Sequence, residues 1–485
     1  MKVQAFNPYL PSYEYVPDGE PHVFEGRLYV YGSHDRFNGL GFCLNDYVAW
    51  SCPIDDLGEW RYEGVIFKKK DVPPYFSDNT ILWAPDVTRG KDGRYYLYFF
   101  VGKARPNDNR IRVAVSSSPA GPFTYYGACH YQDGVDLGTR KGELKSFDPA
   151  IFIDDDGKIY LYSGFGAPFY NPFIHHGWKS SKKGAMVYEL ADDMLTVKQG
   201  PSYIGVPAES QGTPYEGHGF FEASSLRKLN HHYYFIYSSI QGHELCYAKS
   251  DYPDHGFAYG GTLVSIGDIG YQGRLAKQAD NYTGNTHGSI VEIGGHYYVF
   301  YHRQTNLNQF SRQGCAEEIF CDKEGNFAQV ETTSCGLNGG PLQGLGRYEA
   351  RIACNLSSKN GTKFYSFLRL KSLKKKQPYF TQEGADREEN GNQYMANLTS
   401  GAWCGFKYFL MDKPSHITLS VRGNGTGRIL LRTSWEGNPV AMIPVTPAPT
   451  WSDFSADLAP MEGKVALFFT YEGTGHIDFA SFTLS

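Results

Sequence analysis

Ser146-Phe147-Asp148-Pro149-Ala150-Ile151-Phe152-Ile153-Asp154-Asp155-Asp156-Gly157-Lys158-Ile159-Tyr160-Leu161-Tyr162-Ser163-Gly164 is the stretch whose reading decides the fold. It presents an acid, a short apolar strand, an Asp/Gly turn and an aromatic-rich second strand: a β-hairpin with a carboxylate at its mouth. Four other stretches share the pattern, at 22–35 (HVFEGRLYVYGSHD), 83–100 (WAPDVTRGKDGRYYLYFF), 221–239 (FEASSLRKLNHHYYFIYSS) and 287–303 (HGSIVEIGGHYYVFYHR). Repeats at this spacing predict propeller blades, each a sheet that buries its faces only against its neighbours.

Aligning the turns aligns Asp18, Asp86, Asp148, Glu222 and His287, which follow one another at 68, 62, 74 and 65 residues. The innermost strand of each blade runs along the axis, so these five positions converge on one end of a central channel. Four carboxylates and an imidazole in so small a space are costly unless they do chemistry or hold a cation. This cluster is the candidate active site. The second strands return to the same end, making His34, Asp35, Ser163, Ser238 and Arg303 candidates for the pocket wall.

The chain has 485 residues, 41% hydrophobic and 16% aromatic, with 55 Gly, 37 Tyr and 32 Phe. That composition predicts an all-β protein of at least two domains. A net charge of −5 leaves no basic footprint, so no nucleic-acid partner is expected. The longest apolar runs, such as 95–101, are too short to span a bilayer, and no membrane partner is expected. Residues 1–13 do not resemble a signal peptide, which predicts a cytoplasmic location. Nine cysteines, odd in number and without a C-x-x-C pair, predict free thiols rather than a disulfide scaffold or zinc site. The Asp154–Gly157 run lacks the onward ligands of an EF-hand and reads as a hairpin turn; Lys374–Lys376 reads as a solvated loop. None of this sets an oligomeric state.

After Arg303 the repeat fades, and 338–346 (NGGPLQGLG) marks a boundary. The predicted division is a propeller over 1–337, a linker over 338–347 and a second domain over 348–485. Short alternating strands at 417–422, 428–433 and 464–471 make the second domain a β-sandwich of jelly-roll type.

WAPD at 83–86, SFDPAIFIDDDGKIYLYSG at 146–164, FEASSLRK at 221–228 and the late HGS…YHR together resemble glycoside hydrolase family 43 over about residues 7–335. That family comprises five-bladed propellers, among them β-xylosidases, α-L-arabinofuranosidases and arabinanases. The resemblance implies an inverting glycosidase with Asp18 as general base, Glu222 as general acid and Asp148 as the acid that tunes and orients it. It implies no cofactor for the chemistry. His287 matches an axial histidine that in many relatives lies beside a water-coordinated calcium. One departure is Glu222-Ala223-Ser224, where many relatives carry Glu-Gly-Pro. Glu216-Gly217-His218 is a rival, but a strand and turn follow Glu222 at blade spacing. The C-terminal region, at 405–409, 421–427 and 476–479, is similar to carbohydrate-binding module family 6. There Trp403, Trp435 and Trp451 are candidate sugar platforms, and a sandwich that simply buttresses the propeller is the favoured alternative.

Inversion explains three acids. One protonated carboxyl serves the leaving oxygen and one carboxylate activates water on the opposite face, about 6.5–9.5 Å away. A third acid raises the pKa of the donor by like-charge repulsion. On this reading Arg303, Asp35 and Trp83 line a pocket for one terminal sugar, Arg303 through its several donors and Trp83 as a ring platform or as core packing. The loop at 168–183 would cover the pocket. The expected activity is release of terminal arabinofuranose from arabinoxylan-type oligosaccharides. The alternatives are β-xylosidase or dual activity and, more remotely, a non-catalytic sugar-binding propeller. A lectin has no need of three carboxylates around one pocket, which favours the enzyme.

Overall fold

The computed structural model describes residues 3–73, 80–102, 108–167, 180–365, 377–388 and 391–485. Residues 168–179 of the loop expected over the pocket, and Lys374–Lys376, lie outside them. Each predicted hairpin forms and carries further strands outward. Blade I is Glu20–Phe24, Arg27–Tyr31, Tyr47–Pro53 and Arg61–Phe67. In blade II, Asp86–Arg89 and Ile81–Leu82 both pair with Tyr95–Gly102, followed by Ile111–Ser116 and Thr124–Ala128. Blade III is Ala150–Ile153, Ile159–Ser163, Met186–Leu190 and Thr196–Tyr203, with His130–Tyr131 added in parallel at its outer edge. Blade IV is Phe220–Leu229, His232–Ser239, Glu244–Ser250 and Ala258–Ser265. Blade V has three strands, Ile290–Ile293, His296–Gln304 and Arg312–Ile319.

The N-terminal stretch closes the ring. Tyr9 N–H donates to Gly314 O, and the Asn7 side-chain amide pairs with both the N–H and the C=O of Ala316, so the outer edge of blade V is covered. On the axis, Gly19 and Gly288 form a parallel bridge between the first and last blades. Five apolar cores fill the seams. Val30 and Trp50 meet Val291 and Phe300 between blades I and V. Tyr31 and Tyr47 meet Leu97 and Phe99 between blades I and II, Tyr98 meets Leu161 between II and III, Tyr162 meets Phe235 between III and IV, and Ile236 meets Val299 between IV and V. Each such side chain, fully buried, contributes about 1.5–3 kcal/mol. All nine cysteines are free, and only Cys321 is not fully buried.

The second region is a sandwich of two sheets. One orders Leu342–Gln343, Trp403–Asp412, Glu462–Thr474, Thr426–Arg432 and Ala441–Val445; the other orders Tyr379–Gln382, Gln393–Thr399, His476–Leu484, His416–Gly423 and Ala448–Asp457. Within the expected linker, Leu342–Gln343 already pairs with the first sheet and Gly346–Glu349 with His476–Leu484. Phe406, Phe469, Phe479 and Phe482 centre its core, which also takes in Tyr282 and Leu307 from the propeller. Among the described residues no helix is long and apolar enough to cross a membrane.

Candidate active site

Four blades bring their leading residues together at one end of the axis. Asp18 and Asp148 precede the inner strands of blades I and III with left-handed backbones, φ 58° and 46°. Glu222 lies in the inner strand of blade IV opposite Ser238, where the register is broken on both sides. Ala223, next to it, has φ 67°. A bulge frees a backbone N–H and re-aims the neighbouring side chain, and the freed N–H of Ala223 donates to Asp148 Oδ2 at 3.1 Å. Non-glycine residues in this conformation cost free energy and cluster at functional sites. Glu216 is exposed and accepts from Gly212 N–H within its own loop, away from this cluster.

The surroundings drive the carboxyls apart. Burial raises Asp18, but the charges of Arg312 and His287 outweigh it and hold its carboxyl below the usual range. Arg312 Nη1 donates to Asp18 Oδ1 at 2.9 Å. His302 Nδ1 accepts the Asp18 backbone N–H at 3.2 Å and Nε2 lies 2.8 Å from Asn285 O; burial and Arg312 press its pKa down to about 3, so the ring is neutral. Glu222 goes the other way: burial and the nearby Asp148 push it up to about 8 against Lys145 and His287. Asp148 is raised to about 6, by burial and by Asp18. His287 stands between Glu20 Oε1 and Asp148 Oδ2, at 3.6 and 3.7 Å. Burial alone would lower its pKa, but those acids raise it to about 9. Lys145, buried over the rings of Phe147 and Phe165, is lowered by burial to about 8.

The fifth aligned acid, Asp86, sits deeper. It pairs with Tyr98 inside its strand, as Ala150 pairs with Tyr162, two residues beyond Asp148. Trp83 therefore occupies in blade II the place of Phe147, each tied to the end of the second strand. Asp86 is bound by His22 Nε2 at 2.7 Å and by Ile151 N–H at 2.8 Å. On the same level Arg227 Nη2 donates to Glu20 Oε2 at 2.6 Å. Glu20 Oε1 has no hydrogen-bond partner. That is one undonated carboxylate oxygen, against the six to eight oxygens calcium takes. These residues fit calcium only through water.

Two wall assignments need correction. Asp35 is fully buried, and both its oxygens are taken by Arg312, Nε at 2.9 Å and Nη2 at 3.0 Å. It holds the partner of Asp18 and is not open to substrate. Arg303 points away from the pocket: Nη1 donates to Ala353 O at 2.8 Å and Nη2 to Arg351 O at 2.7 Å, with its guanidinium 3.9 Å over Phe380. Successive strand residues face opposite sides, so His302 looks at Asp18 and Arg303 at the sandwich. His34 is likewise engaged, between Asp46 O and Glu14. Ser163 and Ser238 are buried. Trp83 is partly exposed, between Phe42 at 5.6 Å and Phe147 at 5.4 Å.

Arg312, His302, Lys145 and Phe42 escaped the sequence reading. Arg312 opens a third strand, opposite Gln304, whereas the residues aligned on the axis come from the first strands and the wall candidates from the second. His302 directly precedes Arg303 in the same strand. On the sandwich, Trp403 and Trp435 pack at 4.4 Å and with Phe468, Arg432 and Glu472 line a hollow of about 340 Å³; Trp451 packs on Tyr394 and Arg422 instead.

Asp18, Asp148, Glu222 and His287 thus meet at one end of the propeller axis, and the chain as a whole is similar to known proteins. The model of glycosyl hydrolases family 43 matches residues 25–327. A xylosidase/arabinosidase of Thermoclostridium stercorarium is 48% identical over 487 residues, covering 100% of this chain and 99% of that protein. The solved family 43 β-xylosidase/α-arabinofuranosidase from a compost microbial metagenome, in complex with xylotriose and calcium-free, is 29% identical with TM-score 0.52, covering 68% of this chain and 98% of that one. An arabinoxylan arabinofuranohydrolase of Bacillus subtilis in complex with cellotetraose, at 23% identity and TM-score 0.51, shares the fold over 99% of this chain and 97% of its own. The chain belongs to glycosyl hydrolase family 43 and is a glycoside hydrolase.

Proposed function

We propose that this enzyme releases terminal α-L-arabinofuranose from arabinoxylan-type oligosaccharides with inversion, and that it also cleaves terminal β-xylosides. The observation that carries the reading is the opposed titration of two acids on one axis: Asp18 held ionised by Arg312, Glu222 held protonated to about 8. Asp18 takes a proton from a water molecule as the water oxygen, not the carboxylate, attacks the anomeric carbon. Glu222 gives its proton to the departing glycosidic oxygen, and both charges are restored by solvent exchange. Asp148 orients Glu222 through the Ala223 N–H and keeps its carboxyl loaded. The names of relatives at 48% and 36% identity, both xylosidase/arabinosidases, support the dual substrate. The two sugars differ by contacts of about 1–3 kcal/mol, too little for one pocket to reject either outright. Trp83 is the proposed ring platform.

Proton NMR of the first-formed sugar tests the mechanism: the inverted anomer is expected, and retention overturns it. Kinetics on a panel of nitrophenyl glycosides test the substrate, and a tenfold preference for the xyloside would reverse the order proposed. A water-held calcium beside His287 and Glu20 is proposed as a structural ion that supplies positive charge to the axis. Chelation should then lower Tm, with calcium restoring it.

A further inference from the structure

The sandwich grips the propeller at the active-site end. A short stretch, 383–388, follows the strand Tyr379–Gln382 and meets the loop that joins the second and third strands of blade I. Asp386 Oδ1 accepts Phe37 N–H at 2.6 Å, and Oδ2 accepts from Asn45 Nδ2 at 2.9 Å. Those two contacts bracket the loop. Asn45 Nδ2 also donates to Asp35 O at 3.1 Å, and Arg36 Nε donates to Asn45 Oδ1 at 3.0 Å, so one carboxylate locks both arms together. Beside it, Arg387 Nη1 donates to both oxygens of the buried Glu14, at 2.8 and 2.9 Å.

Three residues that the loop presents inward, Asp35, Phe42 and Cys43, meet Arg312. Asp35 holds Arg312 through two side-chain bonds and accepts its backbone N–H at 3.0 Å. Cys43 Sγ lies 3.4 Å from Arg312 Nη2, and the Phe42 ring 4.8 Å from its guanidinium carbon. Arg312 in turn holds Asp18. A chain of direct contacts therefore runs from Asp386, on the sandwich, to the acid on the axis.

We infer that Asp386 is a positioning residue for the reaction: through the 35–45 loop, the sandwich seats Arg312 on Asp18 and Phe42 beside Trp83. This rests on Asp18 being the base. The chemistry is intolerant of small displacements there, since a shift of about 1 Å at a reacting group can cost a hundredfold in rate. Between Tyr31 and Tyr47 the loop has no regular strand pairing; its backbone is tied by Asn45 N–H to His34 O and Asp35 N–H to Tyr15 O, both at 3.0 Å, and the Asp386 carboxylate adds the tie from the sandwich at both arms.

The test uses the full-length protein with Asp386→Ala, Asp386→Asn and, as a control elsewhere on the sandwich, Arg428→Ala. Measurements are kcat and KM on an aryl arabinofuranoside across pH, with Tm for each variant. Asp386→Ala should lower kcat/KM by about tenfold or more and move the acidic limb of the pH profile upward, because Arg312 no longer sits squarely on Asp18. Asparagine keeps an acceptor for Phe37 N–H, so Asp386→Asn should recover most of the activity; should the alanine variant fail to fold, Asp386→Asn with a partly displaced limb supports the proposal by itself. Arg428→Ala should match the wild type. A fall in Tm with an unmoved pH limb and unchanged kcat/KM would overturn the inference and leave Asp386 a structural tie. Asp18→Ala run in parallel separates the two levels: retained activity there sinks the assignment of the base, whereas an inactive Asp18→Ala beside a normal Asp386→Ala sinks only the positioning role.

Discussion

Arg312 joins Asp18 and Asp35 with one guanidinium, Nη1 on the first at 2.9 Å and Nε and Nη2 on the second. The planar fork suits two carboxylates at once; an ammonium would satisfy one. Arg312→Lys keeps the charge and loses the geometry. It should reduce kcat/KM by about a hundredfold and raise the pH at which activity falls on the acid side, measured as kcat/KM against pH.

Glu222 should matter in proportion to how badly the leaving group needs a proton. Glu222→Ala is expected to abolish hydrolysis of natural linkages while retaining much of the rate on a dinitrophenyl glycoside. Asp18→Ala should abolish both. Equal losses from Glu222→Ala on the two substrates would move the acid elsewhere.

The alkaline limb of the wild-type profile follows from Glu222, which must be protonated and titrates at about 8. Activity should fall about tenfold per pH unit above that value, and Glu222→Gln on an activated substrate should lose the limb. The sign for stability is the same. A carboxyl raised in the folded state favours folding fully below its unfolded pKa, about 4.3, and that contribution is lost as pH rises through about 8.

Arg303 is predicted to act on stability and not on turnover. Arg303→Ala leaves the buried carbonyl of Ala353 and the partly buried carbonyl of Arg351 without these donors, a loss of about 3 kcal/mol. Thermal unfolding should show it, while kcat per folded molecule stays within about twofold of wild type. A large loss of kcat at unchanged Tm would return Arg303 to the pocket.

Much of the architecture was written in local pattern. Period-two alternation, Asp/Gly turns and aromatic second strands are short-range signals, and each hairpin they specify forms where the repeat placed it. Their recurrence sufficed for five blades, because a blade can bury its faces only on another. Asp18, Asp148, Glu222 and His287 were legible for the same reason: equivalent positions in equivalent hairpins meet on an axis. Tertiary structure alone decided what surrounds them. Asp86 fell two residues deeper because its first strand is shorter between acid and turn. His302, not the expected Arg303, faces the axis because a strand turns neighbours to opposite faces, and which face meets the axis depends on register across the whole blade. Arg312 and Asp386 lie 294 and 368 positions from Asp18 in the chain, and no local pattern links them to it. Only closure of the ring and docking of the sandwich bring those charges to Asp18, and with them the opposed titration on which the chemistry rests.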